Sequence, residues 1–133
     1  MLFRSNPSRS EPLHLYQIWI LPDRQGHAPS YEQRAIEPGG GASSLQLIAS
    51  PDGRNGSLTI HQDAQVLLGS LEPGQSQVYS LEPARHAWIQ VVRGSVRMGG
   101  PVLRTSDGAA VSGEPWLRLE AEESAQLMLF DLP

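Results

Sequence analysis

The sequence predicts an all-β domain, a small barrel or sandwich of roughly eleven short strands. Three observations predict it. The chain of 133 residues carries 13 glycines and 11 prolines, so it turns often. Its apolar runs are short and alternate with period two, and no stretch holds a helical period. Turn signals recur every few residues, as in Glu72-Pro73-Gly74, Arg93-Gly94 and Ser106-Asp107-Gly108.

In chain order, residues 1–12 are polar and broken by Pro7 and Pro12, and read as a loose lead-in. The run Leu13-His-Leu-Tyr-Gln-Ile-Trp-Ile-Leu21 mixes apolar and polar residues up to Pro22 and reads as an extra N-terminal strand. Residues 22–44 hold Pro22, Gly26, Pro29, Pro38 and a Gly39–Gly41 run, a long connection. The barrel is assigned to 45–133. Its strands are expected at 45–49, 57–61, 64–71, 75–81, 87–92, 95–98, 102–104, 109–111, 116–120 and 125–131. Within it, His86 to Met98 reads as a hairpin around Arg93-Gly94. Tyr16–Pro22 also echoes Leu127–Pro133, pairing Trp19 with Phe130 and Leu21 with Leu132, as two strands of one design would.

Composition excludes several classes. No cysteine means no disulfide framework, zinc ribbon or thiol nucleophile, and fits a cytoplasmic address. The N-terminus has no apolar signal core, and no apolar run is long enough to span a bilayer. Net charge is −4, from 14 acids and 10 bases, all arginine, which predicts neither a nucleic-acid nor an anionic-membrane surface.

The glycine rhythm of the central stretch suits a jelly-roll barrel of the cupin type, whose metal motif runs Gly, His-x-His, Glu, Gly. Laid on Gly74 and Gly94, the motif places its ligands at Ser80, Glu82 and Ala87. The histidine of the second motif falls on Trp116 or Leu117. A mononuclear metal needs three or four N/O donors converging at about 2.0–2.2 Å. Near the expected mouth only Glu82 and His86 qualify, so the expectation is a barrel without metal or catalytic residues. His14 reads as a core or interface residue, His27 as exposed, and His61 as a turn cap. Tyr79, Glu82, His86, Trp88 and Trp116 are candidates to line a pocket for an aromatic small molecule, though core packing is the ordinary role for such aromatics. There is no nucleophile elbow and no phosphate loop with its lysine.

The stretches Leu13–Ile20, Pro29-Ser-Tyr-Glu-Gln33, Gly56–Ala64, Arg85–Val96 and Leu127–Pro133 together resemble the pirin family, in its bacterial, quercetinase-type bicupin branch. The resemblance covers the chain from Asn6 onward. It implies two cupin barrels per full-length protein: a first holding iron or a similar metal through three histidines and a glutamate, and a second usually without metal. By the resemblance this chain is the second lobe, a single cupin-type jelly-roll β-barrel, and Leu13–Pro22 is the closing strand of the first. Oxidative opening of flavonols such as quercetin would belong to the metal-bearing lobe, and the nuclear cofactor role of animal relatives does not transfer. The expected role is a structural or interaction module, pairing as a homodimer through Leu13, Leu15, Tyr16, Ile18 and Trp19, or with a metal-bearing lobe. The alternative is a quercetin 2,3-dioxygenase-like or aromatic-binding cupin. An apolar strand left uncovered invites pairing.

Overall fold

The computed structural model describes residues 5–36 and 44–133. Ten strands follow in order: β1 (Ser44–Ser50), β2 (Leu58–Thr59), β3 (Gln65–Leu71), β4 (Ser76–Ser80), β5 (His86–Arg93), β6 (Ser95–Met98), β7 (Val102–Arg104), β8 (Gly108–Ser112), β9 (Trp116–Ala121) and β10 (Ala125–Leu132). They form a six-stranded sheet ordered β2-β1-β3-β10-β5-β8 and a four-stranded sheet ordered β4-β9-β6-β7. All pairings are antiparallel except β1 with β2. Every strand expected between 45 and 131 is present within a few residues. The run predicted over 57–61 is cut to two paired residues, Leu58 and Thr59.

The two sheets close on an aliphatic core. Leu67, Ile89, Val91, Leu127 and Leu129 of the large sheet meet Val96, Leu103, Leu117 and Leu119 of the small one, all buried. Alternation is clean in β9, where Leu117, Leu119 and Ala121 are buried while Trp116 and Arg118 are exposed, so the outer face of the small sheet is solvated. β10 behaves differently. Its inward Leu127 and Leu129 are buried, yet so is outward Met128, and Phe130 is half-buried. Something covers both faces of the large sheet.

Two expectations are corrected here. The run His86–Met98 is not a hairpin: β5 pairs with β10 and β8 in one sheet, while β6 pairs with β7 and β9 in the other. Arg93-Gly94 is therefore the corner where the chain changes sheets. Gly94 has φ +77°, and a Cβ there would collide with the carbonyl oxygen of Ser124. Only glycine fits such a corner. The second correction concerns Leu13–Leu21, which forms no strand and pairs with none among the described residues. The arm does not extend the large sheet, whose outermost strands are β2 and β8; its residues 16–21 instead line a cleft with Trp88, Gln90, Met128 and Phe130 of that sheet. Part of the connection expected over 22–44, the segment 37–43, lies outside the described residues.

Candidate functional site

At one end of the barrel, a polar cluster closes the gap between the sheets. Asp131, near the end of β10, points its side chain inward and is only 3% exposed. Its Oδ2 accepts a hydrogen bond from the Tyr79 hydroxyl of β4 at 2.6 Å. Its Oδ1 is ion-paired with Arg85 Nε, in the turn before β5. Arg85 also donates through NH2 to the Asp131 carbonyl (3.2 Å) and through NH1 to both carboxylate oxygens of Asp63 (3.0 and 3.1 Å). One guanidinium thus ties the loop before β3 to the end of β10. Burial, then the hydrogen bond to the Asp131 carboxylate, pushes the Tyr79 phenol well above its ordinary value. The bond to Asp131 likewise holds Arg85 protonated above its usual range. Among the described residues, no buried side-chain nitrogen or oxygen lacks a partner.

The positions named by the cupin motif do not converge. Ser80 and Trp116 are register partners on β4 and β9, and both are exposed. Glu82 lies exposed in the turn before Arg85, whose N–H bonds to the Glu82 carbonyl. Ala87 and Leu117 are core residues. The donor set does not suit a first-row metal. Among the described residues no group of three His, Asp or Glu is arranged to hold a metal ion.

The five pocket candidates are likewise dispersed. Tyr79 is engaged by Asp131 inside the barrel end. Glu82 and His86 border a shallow hollow with Pro83 and Glu114, and His86 Nδ1 sits 2.8 Å from Ser112 Oγ. Trp116 faces solvent beside Arg118 on the small sheet. Trp88 stands on the outer face of the large sheet, its ring lying where a side chain on Gly108 would be. Sequence reasoning missed Asp131, Arg85 and Asp63. The available signal was the lone acid in the apolar run Leu127–Leu132, which on an inward position demands a cationic partner.

The arm forms the second feature. Residues Tyr16–Leu21 stand off the sheet, leaving a cleft of about 660 Å³ lined by Trp88, Gln90, Met128, Phe130, Leu132 and the arm itself. The arm is pinned at its far end. Gln62 Nε2 donates to the Leu21 carbonyl (2.9 Å), and Asp23 N–H to the His61 carbonyl (2.7 Å). The His27 ring stacks on His61 with centroids 4.1 Å apart. His27 Nε2 also bonds to Asp23 (2.6 Å), which lowers the Asp23 carboxyl below its ordinary range. His27 is thus partly covered and not the solvent-exposed residue expected, and His61 stacks as well as sitting in a turn.

A family model described as "Quercetinase C-terminal cupin domain" matches residues 47–132. The chain belongs to that family. Beyond the matched region, similarity continues into the arm. The chain is 43% identical over 128 residues to the quercetin 2,3-dioxygenase of Escherichia coli (strain K12), covering 96% of this chain and 54% of the relative. It is 31% identical over 122 residues to a pirin-like protein of Caulobacter vibrioides, covering 91% and 53%. Among solved structures it resembles YhhW from Escherichia coli, with TM-score 0.81, 39% identity, and coverage of 86% of this chain and 48% of that one. A structure of the bacterial pirin YhhW in complex with nickel(II) aligns with TM-score 0.80. This pirin-type cupin lobe therefore spans about half the length of the curated relatives it matches.

Proposed function

We propose that this lobe is a metal-free structural and interaction module, the second cupin of a two-cupin assembly, working in the cytoplasm either in a homodimer or beside a metal-bearing lobe. One observation carries the reading. The space between the sheets is packed with aliphatic side chains and one end is closed by the Tyr79–Asp131–Arg85–Asp63 cluster, and among the described residues no three His, Asp or Glu side chains are grouped to hold a metal ion. The dioxygenase activity in the names of its relatives would then reside in the other half of those longer proteins. Elemental analysis of the purified chain with an oxygen-uptake assay on quercetin tests this. The expected result is no stoichiometric metal and no uptake; metal-dependent uptake by the chain alone would overturn it.

A second reading, an aromatic small-molecule binder, is favoured by the outer cleft, where Trp88 and Phe130 offer ring faces. It keeps Trp88 of the five residues expected and moves the site outside the barrel. A flavonol that binds only the folded state would raise the melting temperature in proportion to its occupancy.

A further inference from the structure

We propose that the turn at 61–63 is a clasp that couples the pinned end of the arm to the carboxylate cluster at the barrel end, so that loosening either side loosens the other. Three consecutive side chains of this turn reach three different places. His61 stacks on His27, Gln62 holds the Leu21 carbonyl, and Asp63 receives Arg85. The Gln62 side-chain amide joins them. Its Nε2 donates to the Leu21 carbonyl, while its Oε1 accepts the Asp63 backbone N–H at 2.8 Å. Both ends of that amide are engaged, so its plane cannot turn without losing a bond.

Asp63 is fixed from the barrel side. Arg85 donates to both its carboxylate oxygens and, through Nη2, to its carbonyl (3.4 Å), and the same guanidinium meets buried Asp131. The bend itself is tight: the Ala64 N–H bonds to the Gln62 carbonyl (2.8 Å), and Ala64 is fully buried just before β3. A displaced Asp63 therefore tilts the Gln62 amide and the His61 carbonyl together, and these groups hold Leu21 and Asp23. Hydrogen bonds thus run without a break from Leu21 through Gln62, Asp63, Arg85 and Asp131 to Tyr79 in the small sheet. In such a chain each bond orients the next, and the coupling between its ends is reciprocal. Asp63 has no hydrogen bond to the arm among the described residues, yet it is a positioning residue for it.

Hydrogen exchange at the Asp23 amide, which bonds to the His61 carbonyl, reads the clasp. Gln62→Ala removes a direct bond to the arm and should speed this exchange most. Asp63→Ala acts only on the barrel side and is expected to speed it about fivefold or more, the lower end of the usual range for coupled sites. The Asp63 side chain is 65% exposed, so the variant's fold is secure, as unchanged exchange at Leu127 and Leu129 would show. In the reverse direction, His27→Ala should speed exchange at the Asp63 amide, although His27 bonds to Asp23 and stacks on His61 only. Arg97→Ala, which breaks an exposed ion pair with Glu122 on the small sheet, should alter neither amide.

An Asp23 amide indifferent to Asp63→Ala, or an Asp63 amide indifferent to His27→Ala, would overturn the proposal. So would a rise at Asp23 that is matched at Leu127 and Leu129, since that is general loosening of the barrel and not a clasp.

Discussion

At the residue scale the most consequential group is Asp131. A carboxylate 3% exposed in an aliphatic barrel is tolerable only because Arg85 and Tyr79 meet both its oxygens. Asp131→Ala strands the Arg85 guanidinium in a half-buried site and is expected to cost about 3 kcal/mol in urea denaturation. Tyr79→Phe removes a hydrogen bond to this buried carboxylate and should cost about 2 kcal/mol. The raised Tyr79 phenol also sets an alkaline limit. Below pH about 10, the ordinary tyrosine value, folded and unfolded chains both keep the proton and the contribution is complete. Above it the unfolded chain releases the proton first, and stability falls as pH rises toward the folded value. A urea midpoint that declines above that pH in the native chain but not in Tyr79→Phe is the expected signature. None of this was legible from spacing, because Asp63, Arg85 and Asp131 are distant in sequence and meet only once β10 lies between β3 and β5.

At the scale of elements, the strands from 45 onward were legible because period-two alternation and turn residues are local signals. Which sheet each strand joins was not. The Arg93-Gly94 turn reads as a hairpin from its residues, and only the partners of β5 and β6 show it to be a corner. The Leu13–Leu21 run has strand composition, but a strand requires a neighbour, and here its residues 16–21 only wall a cleft beside the large sheet, with Trp19 and Leu21 largely exposed. Two turn substitutions separate backbone strain from packing. Gly94→Ala should fold poorly, since Ser124 backbone cannot retreat without breaking the start of β10. Ala84, with φ +65° in the turn Glu82–Arg85, holds a left-handed conformation without glycine. Ala84→Gly is expected to add roughly 0.5–1 kcal/mol, the left-handed cost relieved less the entropy glycine loses. A thermal melt moving down for the first and up for the second checks both.

At the scale of the whole molecule, the two layers differ in what lies outside them: solvent over the small sheet, an apolar arm over the large one. Amide hydrogen exchange should record the difference. Strand β10 and its neighbours β3 and β5 should be the slowest to exchange, while the amides of 13–21 exchange nearly as fast as in an unfolded peptide, having no ladder partner. Protection of that arm comparable to β10 would contradict its description as an unpaired segment. The central place of β10 has a further consequence, for synthesis. The strand that joins β3 to β5 is the last of the ten to be made, so a growing chain holds two unsealed half-sheets until residue 132 has left the ribosome. Closure of the large sheet is thereby deferred until β10 has been made. During that interval the exposed strand edges of β3 and β5 are where a chaperone, or a misplaced neighbour, has its opportunity.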